Sequence, residues 1–262
     1  MRLHATKRTR ILPALALLTA LTGSRAQAQD PTWDHYKVYQ VAPHPSHLEQ
    51  LTLIDQFGVW TPQSQFLNFF ANPVQKTHGT ITYPINRPEL HYAWWVIATT
   101  QPFTRDVIAT NQFGDQLIHV GNPAYLLNPA LKNAPVGSPL PVANHYLCYE
   151  CSGNGVNVPV TLVDQFFGRN ATVFFPRYFC TPVEKRTSSG GVFPMRDPRQ
   201  HYVVYDIDPM PNTFAVTIFD QFLIPNAQVS MSNDRFLMVP TLKSFPVPSE
   251  PSTWGRMKAL FR

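Results

Sequence analysis

Three stretches of the chain carry residues able to do chemistry. "HYLCYEC", from His145, pairs a histidine with Cys148 and Cys151 in a Cys-x-x-Cys spacing. That spacing suits redox exchange or metal ligation. "DQF", from Asp164, ends an apolar run on a carboxylate, a group able to act as acid, base or ligand. "CTPVEK" brings Cys180 and Lys185, a second thiol and a cation.

None of these stretches is unique. The His-Tyr landmark recurs at His35, His91, His145 and His201, in steps of 56, 54 and 56 residues. Asp55, Asn111, Asp164 and Asp220 each open an Asp/Asn-Gln-Phe triplet, in steps of 56, 53 and 56. Pro-x-x-Lys ends at Lys76, Lys132, Lys185 and Lys243. Three landmarks in one order, four times, mark a repeat of about 55 residues. A group present in every copy serves the fold more readily than an asymmetric active site. Asn111 sharpens this point, because an amide accepts turn hydrogen bonds but does not titrate as a carboxylate does. The four histidines are candidate ligands for a metal on a symmetry axis; the competing role is a hydrogen bond at a strand start. The four lysines are expected at the surface or paired with carboxylates. No nucleophile elbow, phosphate loop or His-Glu-x-x-His motif occurs, so no catalytic residue, metal or cofactor is assigned.

Aligning the repeats gives the cysteines a role. Cys148 and Cys180 match Val38 and Ala71, Trp94 and Leu127, and Val204 and Met238. Both positions are cysteine or both are apolar, as a buried bonded pair requires. A Cys148–Cys180 disulfide is expected, with Cys151 a free thiol or a competitor for the pairing.

The elements that position these groups read as β. "LTLIDQF", "VTLVDQF" and "VTIFDQF" are rich in β-branched and aromatic residues, with period-2 alternation. The His-Tyr strands are apolar on both faces, as inner strands are. No amphipathic helix is evident after the first residues. The expected fold is all-β, with three to four strands per repeat. Repeats one and two, and three and four, are expected to pair into two pseudo-symmetric β-sandwich or barrel lobes, 31–143 and 144–245. A four-bladed propeller-like ring is the alternative. Trp60, Trp94 and Trp95 are candidates for a ligand platform.

Residues 1–28 read as a signal peptide: a basic start, the apolar run "ILPALALLTALTG" and a small-x-small site at Ala26 and Ala28. Cleavage there leaves 234 residues. It also removes five of the 21 basic residues and none of the 16 acidic ones, leaving 16 against 16. No basic run remains to neutralise phosphates, which excludes nucleic acid as an expected partner. No later segment is apolar for long enough to span a membrane. A secreted or periplasmic location follows.

The order His-x-x-Cys-Tyr, Asp-Gln-Phe-Gly, Leu-Cys-x-Pro-x-x-Lys resembles an uncharacterised family of bacterial secreted β-repeat proteins. The third repeat matches best, with "HYLCY", "DQFFG" and "FCTPVEK", and the resemblance covers nearly all of 33–245. It implies an extracytoplasmic, non-enzymatic role. The end of the chain, "VPSEPSTWGRMKALFR", resembles a Pro-Glu-Pro sorting signal in which a short basic end follows directly; 246–262 is expected to be a flexible tail. These readings describe a structural or binding module associated with an envelope or exopolysaccharide, its partner a glycan or another envelope protein. The alternative is an extracytoplasmic hydrolase with an asymmetric site not visible in the sequence.

Overall fold

The computed structural model describes residues 30, 32–223 and 226–246. The expected signal peptide, and the tail apart from residue 246, lie outside the described residues. Among these residues there are fourteen strands and no helix. The first repeat supplies β1 (His35–Ala42), β2 (Leu51–Asp55), β3 (Gly58–Trp60), β4 (Gln63–His78) and β5 (Ile81–Tyr83). The second supplies β6 (His91–Ala98), β7 (Arg105–Asn111) and β8 (Gly114–Lys132). The third supplies β9 (His145–Gly153), β10 (Val158–Val163), β11 (Gly168–Thr187) and β12 (Val192–Phe193). The fourth has two long strands, β13 (His201–Phe219) and β14 (Ala227–Ser244).

Eight of these strands pair in a closed antiparallel cycle. Each repeat contributes one strand beginning at His-Tyr and one carrying Pro-x-x-Lys. The order is β1–β4–β6–β8–β9–β11–β13–β14, and β14 pairs with β1 again. Pairing runs unbroken across residues 143–144 through β8 and β9, which joins the two expected lobes in one sheet. The first five residues of β1, β6, β9 and β13 are all buried, because both faces of these strands are covered.

Alternation along the strands sends every second side chain to the inside, where three layers form. Tyr36, Tyr92, Tyr146 and Tyr202 meet edge to face in sequence, and Tyr202 returns to Tyr36, with centroids 5.1–6.0 Å apart. Four residues from opposing positions, Phe69, Tyr125, Tyr178 and Phe236, form a second closed cycle at 5.3–5.7 Å. Such edge-to-face pairs each add about 0.5–1.5 kcal/mol beyond area burial. Between the cycles lie the aligned pairs. Val38 faces Ala71, Trp94 faces Leu127, Cys148 faces Cys180 and Val204 faces Met238. A ring this narrow admits one large side chain at that level. Trp94 is that side chain, packed on Phe69, Tyr125 and Tyr178.

Cys148 and Cys180 are disulfide-bonded and fully buried. Their Cα atoms are 3.9 Å apart, closer than the range of about 4.4–6.8 Å usual for a bridge. Replacing both by alanine should lower stability by about 2–4 kcal/mol, since the bridge closes a loop of roughly thirty residues in the unfolded chain. Cys151→Ala should cost far less. Urea titration of the two variants, with non-reducing peptide mapping, checks this; a Cys151–Cys180 link would reverse the assignment.

The outer face of the ring is covered by the hairpins that carry the Asp/Asn-Gln-Phe triplets. Each reaches the repeat two places away. β2 pairs with β11, β7 with β14, β10 with β4, and the end of β13 with β8. This buries a second apolar cluster that contains residues of all four repeats, among them Tyr39, Trp95, Tyr149 and Tyr205.

Candidate functional site

The landmarks form four copies of one joint between repeats. The first oxygen of Asp55, Asp164 and Asp220 accepts two backbone N–H groups two and three residues on, and that of Asn111 accepts one, so each holds its own turn. Their remaining atoms bond the repeat two places away. Tyr149 donates to Asp55 at 2.7 Å, Tyr39 to Asp164 at 2.6 Å and Trp95 Nε1 to Asp220 at 2.7 Å. At Asn111 the polarity reverses, and its amide donates to the Tyr205 hydroxyl at 2.9 Å.

The next two residues of each triplet bind the preceding repeat. Gln112, Gln221 and Gln56 meet His35, His145 and His201 at 3.1, 3.3 and 2.7 Å. Gln165 departs from the pattern and donates to Asn72. The phenylalanines receive the lysines. Lys76 lies over Phe113, Lys132 over Phe166, Lys185 over Phe222 and Lys243 over Phe57, with 4.2–5.3 Å from nitrogen to ring centroid. The expectation that the lysines lie at the surface or pair with carboxylates is therefore corrected: Lys76 and Lys185 are fully buried, Lys132 and Lys243 partly so, and their nearest recurrent partners are these rings. A desolvated ammonium over an aromatic face contributes about 2 kcal/mol or more, which explains why Lys and Phe recur together. Lys132 and Lys185 also donate to Asn72 and Asn128, the residues before Pro-x-x-Lys in the preceding repeat. The fourth repeat has Val239 there, and Lys76 Nζ has no hydrogen-bond acceptor among the described residues.

Burial dominates the titration of these groups. It lowers Lys132 and Lys185 to about 7 and Lys243 to about 8, and Lys76 well below its ordinary value. It also lowers His91 to about 3 and His201 to about 4, with His35 and His145 well below 6.5. A base lowered in the folded state binds fewer protons there than when unfolded. Stability then rises with pH between the two values. The histidines act up to about 6.5 and the lysines from about 7 toward 10.5. The ring tyrosines, raised by burial, reverse the trend above 10. The urea midpoint should climb from pH 6 to pH 9 and fall beyond about pH 10. A flat or falling profile between 6 and 9 would contradict lysines whose pKa burial lowers.

The four histidines do not gather. Among the described residues, no group of three or more His, Cys, Asp or Glu is placed to hold a metal ion. Cys151 packs against the outer core, and burial raises its thiol pKa, so it lacks the thiolate that exchange chemistry needs. Trp60, Trp94 and Trp95 are 5%, 0% and 0% exposed. The expected tryptophan platform is thus not at the surface. Trp94 fills the ring, while Trp60 and Trp95 are held under the hairpins.

Two features break the fourfold pattern. The first is a buried charge network. Lys37 Nζ is 3.4 Å from Asp164 and 3.6 Å from Asp234, all three fully buried. Arg169 binds Asp234 and Asp208 at 2.9 Å each. Ala93, Leu147 and Val203 stand where Lys37 stands in the other repeats. That contrast was visible in the alignment as a lone charge at an apolar position. Having no accessible surface, Lys37 and its acids tie the first, third and fourth repeats together and do not face a substrate.

The second feature is a cavity of about 360 Å³ over the tyrosine cycle, at one end of the ring. Tyr36 and Tyr92 form its floor and Trp33 one wall. Two equivalent loops enclose it, Asn86–Leu90 and Arg196–Gln200. Asp34 accepts the N–H groups of Asn86 and Arg87 at 2.6 and 2.8 Å. Asn144 accepts those of Arg196 and Asp197 at 2.6 and 3.1 Å. Trp33 and Asp34 correspond to Ala143 and Asn144, so the enclosure is not symmetric. A groove of about 460 Å³ lies at the opposite end, beside Tyr125 and Tyr178, and is more open.

Closed strand pairing and four repeated joints define an all-β repeat protein. The chain belongs to a family described as a repeat of unknown function (DUF7450), whose model matches residues 91–240. Neither a curated protein nor a solved structure matches it. The first repeat precedes the matched span and makes the same joints. Among the described residues no helix is long and apolar enough to cross a membrane.

Proposed function

We propose that the protein is a non-enzymatic binding module acting outside the cytoplasm, with its ligand site in the cavity over the tyrosine cycle. The observation that carries this reading is the broken symmetry there. Most landmarks shared by the repeats go into the joints, whereas Trp33, Asp34, Arg87 and Arg196 vary among repeats and converge on one half-open space. A concave site with aromatic walls and a few convergent polar groups is the usual form of a small-ligand pocket. The two carboxylates present are engaged, Asp34 by backbone N–H groups and Asp197 by Arg199. That favours binding over hydrolysis. The buried disulfide supports an oxidising compartment, and the landmark resemblance supports a bacterial, envelope-associated origin.

A thermal-shift panel of glycans and small metabolites tests the reading. A ligand present at 100 times its Kd stabilises by about 2.7 kcal/mol. In a chain of this size that raises Tm by several degrees. Trp33→Ala should abolish the shift. A panel in which no compound stabilises the protein, or in which Trp33→Ala responds like the parent, would count against the site.

A further inference from the structure

We propose that Lys132 is a nucleophilic amine that captures a small aldehyde as an imine. Three observations single it out, and none involves the cavity over the tyrosine cycle. The first is access. The described residues hold five lysines; Lys37, Lys76 and Lys185 are fully buried, and Lys132 and Lys243 reach solvent. The second is cover. The other three joint lysines each lie against two rings: Lys76 against Tyr83 and Phe113, Lys185 against Phe193 and Phe222, Lys243 against Phe57 and Phe245. Tyr83 and Phe193 stand opposite their lysines in the hairpins that β4 and β11 make with β5 and β12. β8 ends at Lys132, and no such hairpin follows it. Asn133 takes a left-handed turn, with φ 52°, and exchanges hydrogen bonds with Thr217 instead. Lys132 therefore lies over Phe166 alone, with no ring in the second place.

The third observation is the supply of acceptors. Lys185 donates to both Asn128 and Gln221. Lys132 donates to Asn72, but Gln165, the counterpart of Gln221, also donates to Asn72 and takes nothing from the lysine. An ammonium has three N–H donors, an amine two and a lone pair, so a single acceptor leaves more of the ammonium unpaired. Asp164 is the nearby charge that favours the cation, and it is already engaged by Tyr39, Asn72 and Lys37. His91, the other titratable neighbour, is itself kept neutral by burial. Desolvation outweighs Asp164 and lowers Lys132 to about 7, so about half of it is free base at neutral pH. Desolvated lysines of this kind form imines at neutral pH. The nitrogen lone pair adds to the carbonyl carbon, a proton passes from nitrogen to oxygen, and loss of water leaves a C=N bond. An aldehyde is the class of partner because this condensation releases only water and needs no activated leaving group.

Propanal with cyanoborohydride, applied to the folded full chain and followed by peptide mapping, tests the proposal. At pH 7 Lys132 should be alkylated at least about threefold faster than Lys243, whose pKa is about 8. That ratio should fall by at least about threefold between pH 6 and pH 9, as Lys243 also loses its proton. In urea the two lysines should react alike. No adduct at Lys132, equal rates in the folded protein at pH 7, or a ratio independent of pH would overturn the assignment. Acetylation of Lys132 by an acyl ester, with no reaction with propanal, would overturn the aldehyde class.

Discussion

Replacing Asp234 by alanine is expected to lower stability by about 3–5 kcal/mol, as removal of one partner from a buried ion pair does. Asp234 lies between Lys37 at 3.6 Å and Arg169 at 2.9 Å, and it is fully buried. Without it Asp164 alone must compensate the buried Lys37. The desolvation penalty already depresses the Lys37 pKa, with Asp164 and Asp234 opposing it. Two comparisons isolate the cause. Asp208→Ala removes the half-exposed partner of Arg169 and should cost much less. Lys37→Met in the Asp234→Ala background should recover part of the loss, because it removes the charge left with one partner. Urea titration of the three variants decides the matter. An Asp234→Ala protein as stable as the parent would mean that the network is not desolvated.

The second large effect concerns Trp94. Its counterparts in the other repeats are Val38, Cys148 and Val204, so Trp94→Val makes the ring more regular. Regularity should nevertheless cost about 3–5 kcal/mol. The side chain fills the middle layer between two closed aromatic cycles, and all its neighbours are held by strand pairing or the disulfide. Such walls cannot collapse inward, and the cost of a large-to-small change rises with the cavity that remains. Indole added to the variant should restore part of the stability, as apolar ligands do in dry engineered cavities. If Trp94→Val is as stable as the parent and indifferent to indole, the three-layer interior is wrong.

The sequence by itself determined the repeat, the all-β class and the pairing of Cys148 with Cys180. Each of these is a matter of spacing or local pattern. Period-2 alternation identifies strands, and covariation of two positions across four copies identifies a contact. It also showed that Asn111 replaces an aspartate, which limits the triplet to hydrogen bonding. What it left open was where each landmark points. The closure of β14 onto β1 joins residues about two hundred positions apart, and no local pattern encodes that pairing. The partners of the lysines are hidden for the same reason. Lys76, Lys132, Lys185 and Lys243 look like surface cations in isolation, and only the docking of the next repeat's phenylalanine removes them from water. Trp33, Arg87 and Arg196 are far apart in the chain and carry no shared motif. They become one cavity because a closed ring brings the starts of its His-Tyr strands, with the loops that precede them, to a common end.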